Sequence, residues 1–225
     1  MDPGAAITIT YDDTRIMPAS TPMDPRRFWD HRYAEADWAY GCEPNDFLRE
    51  HAQQLQTGEA LCLAEGQGRN AVHLATLGHR VTAQDLSPVG LNRAERLAQE
   101  HGVAIHCLCC DLNDLQLEPE STDLVVAIWM HLPPDLRARV HANAVRALRP
   151  GGHLILEAYT PRQLTLGTGG PPTADLLIEP DQLRLELRGL DWLVLREQER
   201  WIEEGPYHRG QSAVVQALGH KPQHN

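Results

Sequence analysis

The chain alternates short apolar runs with amphipathic stretches from about Arg27 onward. Arg27 to about Ala36 carries Phe28, Trp29 and Tyr33 at near-helical spacing, and Asn45 and Asp46 are cap candidates for a second helix reaching about Leu55. Glu59 to Ala64 is a short apolar run ended by glycines, the pattern of a strand buried on both faces. A helix from about Asn70 to Leu77 is closed by Gly78, and a second strand follows from Arg80 to Asp85. Ser87 and Pro88 supply an N-cap and a first-turn proline for a helix with the stripe Leu91, Ala94, Leu97 and Ala98, stopped at Gly102. Val103 to Cys109 and Thr122 to Trp129 are the third and fourth strands. Pro133-Pro134-Asp135 opens a helix with the stripe Leu136, Val140, Ala144 and Leu148, and His153 to Ala158 is the fifth strand. Trp192 to Glu199 and Ser212 to Leu218 form a last pair around a turn at Glu203-Glu204-Gly205-Pro206.

This order predicts an α/β fold: a doubly wound, mostly parallel seven-stranded sheet with a C-terminal antiparallel hairpin. Residues 1–22 read as a flexible tail with Asp, Pro and Gly positions and no sustained periodicity, in which Ala6 to Tyr11 is a candidate short strand. Residues 23–222 form one domain, with an N-terminal lid over about 27–56 and a core over about 57–160.

Composition narrows the partners. Twenty basic against 31 acidic side chains leave a net charge of −11 in 225 residues, whereas phosphate-tracking proteins concentrate Lys and Arg. The charge therefore argues against a nucleic-acid partner. No run approaches 18 apolar residues, and the N-terminus lacks a basic segment followed by an apolar one, so neither a membrane span nor a secretory signal is expected. Five cysteines without a CxxC pair, three crowded at Cys107, Cys109 and Cys110, fit reduced thiols better than disulfides or a zinc site. The histidines lack metal-ligand spacing, and no metal is expected. The compartment these features suggest is the cytoplasm.

The most informative segment is LCLAEGQGRN, residues 61 to 70. Gly66 and Gly68 lie between a buried strand and a helix, where backbone must turn sharply and approach a ligand. Asp85 follows 19 residues after Gly66 at the end of the second strand, where a carboxylate can accept both hydroxyls of a ribose. Asp111, after the third strand, can accept from an exocyclic amine while a neighbouring backbone amide serves the ring.

These residues, with LRPGG at Leu148 to Gly152, resemble class I S-adenosylmethionine-dependent methyltransferases. Phe28 to Leu48, Gly68 to Leu91 and HLPPDLR from His131 to Arg137 further resemble the tellurite-resistance and thiopurine-like small-molecule methyltransferases. The resemblance runs from about Phe28 to Pro222 and implies S-adenosyl-L-methionine as cofactor. Ala64, Glu65, Gly66, Gly68, Asn70, Asp85, Leu86, Asp111, Leu112 and Trp129 then fall at cofactor-binding positions. It also implies a lid bearing Trp29, Tyr33, Trp38 and Tyr40, and acceptor-side residues His131, His208 and Arg209, the arginine suited to an oxyanion and a neutral histidine to a proton. The family's first turn reads Asp-x-Gly-x-Gly-x-Gly; here Cys62 stands for the Asp and Ala64 for the first Gly, and Glu65 is placed to supply the missing carboxylate.

The expected reaction is methyl transfer to a small soft nucleophile, a thiol or a chalcogen oxyanion. The altered turn leaves open a non-catalytic cofactor-binding module, and the fold class leaves open a nicotinamide-dependent oxidoreductase, although a full GxGxxG is absent.

Overall fold

The computed structural model describes residues 24–35 and 38–223. The tail and the candidate strand Ala6 to Tyr11 lie outside the described residues. Six helices and seven strands are found among those described: α1 (Pro25–Glu35), α2 (Asp46–Ala52), β1 (Glu59–Cys62), α3 (Arg69–Thr76), β2 (Arg80–Asp85), α4 (Pro88–Glu100), β3 (His106–Cys109), β4 (Thr122–Ile128), α5 (Pro134–Ala147), β5 (Leu148–Tyr159), α6 (Pro180–Glu186), β6 (Asp191–Glu204) and β7 (His208–His220).

One sheet takes all seven strands in the order β3-β2-β1-β4-β5-β7-β6. β1 pairs in parallel with β2 and β4, β2 with β3, and β4 with β5, while β7 runs antiparallel to both β5 and β6. This is the doubly wound sheet with its antiparallel end that the alternation predicts.

The two-residue period of a strand explains the two cores. Ala60, Cys62, Leu124, Val126 and Ile155 face α2, α3 and α4, burying Phe47, Leu48, Ala71, Leu74 and Leu91. Leu61, Leu63, Val125, Ala127, Leu154 and Leu156 face the other way, against Val140 and Ala144 of α5 and Leu183 of α6. The runs Ala60–Cys62 of β1 and Leu124–Ile128 of β4 are apolar at every position because both of their faces are covered.

Local chemistry sets the boundaries. Asn45 caps α2 by accepting from Leu48 N, and Ser87 caps α4 by accepting from Gly90 N. β3 begins at His106, later than the apolar run suggests, because Val103 N is spent on Ala98 O at the end of α4. β5 begins earlier, at Leu148. Leu148 pairs with Thr122 across a register shift, and Gly151 N donates to Lys221 O at 2.7 Å, so the Pro-Gly-Gly segment is already in the sheet. α6 and the two 3-10 turns at Pro161–Thr165 and Ala174–Leu176 were not legible in the pattern.

The strand order reverses direction between β1 and β4, so a crevice opens at their carboxyl ends, the switch point where ligands of such sheets bind. α1 lies across this crevice and packs on α4.

Candidate active site

A cavity of about 560 Å³ occupies the crevice, a volume suited to a small ligand. Its cofactor side is lined by Ala64, Glu65, Asn70, Asp85, Leu86, Asp111 and Leu112 from the ends of β1, β2 and β3, with Gln67, Arg69 and Gln84 beside them. Its far side is lined by Trp129, His131 and His208, and the cover by Trp29, Tyr33 and Tyr40. The structure thus brings together residues spread over 180 positions of the chain.

The first turn is held by two side chains, Glu65 and Gln84. Glu65 Oε1 accepts from Asn70 N and Ala71 N, both at 2.9 Å, so its carboxylate satisfies the orphan amides at the start of α3. Burial raises the Glu65 pKa to about 7, opposed by those amides and by Arg69 and assisted by Asp85. Cys62 is buried, which pushes its thiol well above the ordinary range, with nearby Glu65 adding to the shift. Gln84 ties the turn to β3: its Oε1 accepts from Ala64 N at 3.0 Å and its Nε2 donates to Cys110 O at 2.7 Å.

Ala64 adopts φ +50°, the left-handed region that favours glycine, at the position where the family has one. Ala64→Gly is therefore expected to stabilise the protein by about 0.5–1 kcal/mol, offset in part by the freer unfolded chain. A urea midpoint that moves down instead would show that the alanine methyl packs usefully.

Gly66 serves the lid as well as the turn. At φ +66° it would place a Cβ 2.5 Å from Tyr33 Oη, so the glycine leaves the seat that the α1 tyrosine fills. Asp30 of α1 accepts from Ser87 Oγ at 2.5 Å, a second tie between the cover and the end of β2.

Asp85 is buried at the end of β2 and accepts from Gly66 N and Ser87 N, both at 2.8 Å. Each bond uses one lone pair of one oxygen, and a carboxylate offers about four. Asp85 also lines the cavity, where its remaining acceptor capacity could hold the diol of a ribose. Burial raises the pKa of Asp85 to about 6, against the opposing pull of the Ser87 and Gly66 amides. Asp111 sits at the cavity edge, its Oδ1 accepting from Asn113 N and Nδ2. These donors and acceptors could hold S-adenosylmethionine, with Asp85 towards the ribose, the 64–68 turn and Asn70 towards the amino-acid end, and Asp111 with Leu112 towards the base.

Four expected site residues do not line the cavity: Gly66 and Gly68 stay within the turn, and Arg209 and Trp38 lie elsewhere. Arg209 does not face the cavity: β7 starts at His208, successive side chains of a strand point to opposite faces, and Arg209 is 68% exposed, paired with Glu203 at 3.3 Å. The hairpin strands run to the turn itself, farther than the pattern indicated, and this places His208 inward and Arg209 outward. Trp38 is not part of the cover. Ala39 N donates to Gln67 Oε1 at 2.8 Å, and the chain so fixed lays Trp38 on the flank of α4, in a separate cleft with Arg93, Arg96 and Glu100.

The far side of the cavity is a packed set of rings. Trp129 stacks on Tyr159 with centroids 4.5 Å apart, His208 meets both edge-on at 5.0 and 5.3 Å, and His131 stacks on Tyr159 at 5.6 Å. Burial pushes the His131 pKa down to about 4 and that of His208 to about 3, so both imidazoles are neutral at physiological pH.

Behind these rings lies a buried ionic cluster that the linear pattern did not reveal. Glu204 of β6 accepts from Trp129 Nε1 at 2.6 Å, Arg69 at 2.5 Å, Asn45 Nδ2 at 2.9 Å and Arg200 at 3.0 Å. Glu157 of β5 accepts from Asn45 Nδ2, Arg200 and Gln216. Burial alone would raise the pKa of Glu204, but Arg69, Trp129 and Arg200 bring it down to about 2. Trp129 has φ +58°, costly for an aromatic residue, and its bond to Glu204 holds it there. The only sequence signal of this cluster was the unusual density of Glu and Arg in β6.

Fold and crevice together define the class I methyltransferase architecture. Residues 60–152 match the family described as methyltransferase domain. A curated relative, the uncharacterised methyltransferase YbaJ of Bacillus subtilis (strain 168), is 33% identical over 98 residues, 43% of this chain and 38% of that protein. The chain thus spans well under half the length of this relative. A structure solved for the conversion of a disulfide bond into a thioacetal group during echinomycin biosynthesis superposes with a TM-score of 0.70 at 21% identity, covering 89% of this chain and 93% of that one. The N-methyltransferase NodS of Bradyrhizobium japonicum WM9, in complex with S-adenosyl-L-homocysteine, gives a TM-score of 0.63 at 17% identity, covering 88% and 98%. At these identities the likeness establishes the fold. Among the described residues no helix is long and apolar enough to cross a membrane, and no group of three or more His, Cys, Asp or Glu is placed to hold a metal.

Proposed function

We propose that the protein transfers a methyl group from S-adenosylmethionine to a small-molecule acceptor. The observation that carries this is Asp85, buried at the switch point and lining the cavity, beside a turn in which Glu65 accepts from Asn70 N and Gln84 accepts from Ala64 N. The methyltransferase-domain match over the same residues supports it. The cofactor supplies an activated methyl sulfonium, and the protein supplies alignment and exclusion of water. Trp29, Tyr33 and Tyr40 cover the crevice for that purpose. Residues 23–222 act as one domain, and the narrower affinity with tellurite-resistance and thiopurine-like enzymes rests on the three sequence stretches that resemble them.

The acceptor we favour is a thiol, the softer and more readily deprotonated of the common nucleophiles. A chalcogen oxyanion loses its expected partner, because Arg209 faces solvent. The net negative charge weighs against a nucleic acid, and the five unpaired cysteines suit a cytoplasmic protein. A non-catalytic cofactor-binding module is the second reading, motivated by Cys62 and Ala64 in the turn.

Calorimetry with S-adenosylmethionine, S-adenosylhomocysteine and NAD separates the possibilities. Binding of both sulfur compounds and not NAD is expected, and binding of NAD alone would remove the proposal. Tight cofactor binding without methyl transfer to thiols, oxyanions or amines would favour the module. Asp85→Ala is expected to weaken homocysteine-cofactor affinity about tenfold or more, the loss of a charge-assisted hydrogen-bond pair. Unchanged affinity would mean that the ribose is held elsewhere.

A further inference from the structure

His131 and His208 both line the far side of the cavity, yet only one has its tautomer dictated by the protein. His131 Nδ1 lies 3.1 Å from Leu176 O. A carbonyl oxygen can only accept, so Nδ1 carries the proton and Nε2 presents a bare lone pair. Nε2 is buried and has no hydrogen-bond partner among the described residues. A buried acceptor left unsatisfied costs about 1–3 kcal/mol, a cost that a donor brought by a ligand would remove.

The carbonyl that sets this tautomer is itself held in place. Arg137, 2% exposed, donates to Asp175 O at 3.3 Å and to Leu132 O, and is locked by Glu186, which also contacts His141 at 2.8 Å. The loop bearing Leu176 and the helix following His131 are thereby tied together across α5 and α6. His208 has no such carbonyl: its ring is wedged among Trp129, Tyr159 and Tyr40, and its Nδ1 has no hydrogen-bond partner among the described residues.

From this geometry we infer that His131 Nε2 is the proton acceptor of the reaction, and that the methyl acceptor binds as a neutral X–H compound, a thiol or hydroxyl, rather than as an anion. The inference rests on the S-adenosylmethionine reading of the cavity. His131 receives the X–H proton at Nε2 as the X–C bond forms. The carbon–sulfur bond breaks with its electron pair to sulfur, so one positive charge leaves the sulfonium and one arrives on the imidazole. The charge in the cavity is the same before and after, which spares the buried site a net change in solvation. A neighbouring sulfonium also keeps His131 neutral beforehand, reinforcing the depression that burial imposes. Trp129, Met130 and the prolines Pro171 and Pro172 give the acceptor an apolar setting, in which a neutral molecule is cheaper to bury than an anion.

The test uses the whole chain loaded with S-adenosylhomocysteine, and nitrogen NMR of its histidines. His131 is expected to show an unprotonated Nε2 that shifts when benzyl mercaptan is added. In turnover, His131→Ala is expected to slow methylation of benzyl mercaptan, a thiol at neutral pH, by about 100-fold or more. With 4-nitrothiophenol, already a thiolate, the loss should stay within about threefold, and added imidazole should restore part of the benzyl mercaptan rate. Homocysteine-cofactor affinity should be unchanged in the variant. A protonated Nε2, an equal loss with both thiols, or a wild-type protein that neither shifts Nε2 nor methylates either thiol would overturn the inference. Failure of the wild type to bind S-adenosylhomocysteine would instead overturn the cofactor reading beneath it.

Discussion

Gly68→Ala should destabilise the protein by about 2–4 kcal/mol, more than its small change of volume suggests. Gly68 is the N-cap of α3 at φ +91°, and a Cβ there would lie 2.5 Å from Ala94 Cβ and 2.7 Å from Ala94 Cα. The second contact is with the backbone of α4, which cannot swing aside as a flexible side chain would. Left-handed strain contributes about 1–2 kcal/mol, and forcing α3 and α4 apart contributes the rest. Gly102 is the matched control. It has φ +68° with nothing within 4 Å of its would-be Cβ, so Gly102→Ala should lose only the strain term. Urea denaturation of the two variants side by side decides the matter: equal losses would mean that helix packing against Ala94 is not what requires Gly68.

Glu204→Ala is expected to cost about 3–5 kcal/mol, the range for removing one partner of a buried ionic cluster. The loss comes less from the bonds removed than from the donors left behind: Arg69, Arg200, Asn45 and the Trp129 indole would all face a site without its carboxylate. Arg200 retains Glu157, but Arg69 keeps only Glu43 O at 3.2 Å. Glu204→Gln keeps an acceptor and the volume, and should lose less than the alanine variant. The near-ultraviolet circular dichroism of Trp129 should change in the alanine variant, since its left-handed backbone and its stack on Tyr159 depend on that bond. A variant within about 1 kcal/mol of wild type would mean that the cluster reorganises or admits water at little cost.

The site was partly legible in the chain. Strand-plus-glycine turn, the acid at the next strand end and the proline-started helices are local signals, and they located Ala64, Glu65, Asn70, Asp85 and Asp111 in one crevice. Two placements were not legible. Arg209 and His208 are neighbours in sequence, and only the true end of β7 tells which one faces inward. Trp38 carries the same aromatic signal as Trp29, but the Ala39–Gln67 hydrogen bond sends it to the other side of α4. The segment between β5 and α6 has no periodicity, yet it contributes Pro171, Pro172 and Leu176 to the cavity wall.

The sequence by itself determined the order of elements, the parallel core and the position of the ligand crevice, because these follow from periodicity and short-range turn chemistry, which involve neighbours in the chain. The tertiary structure alone decided the chemistry of the far wall. Glu157 and Glu204, Arg69 and Arg200, and the proton position on His131 depend on partners 43 to 159 residues away. Charge and tautomer are set by what surrounds a group once water is excluded, and no spacing along the chain encodes that directly.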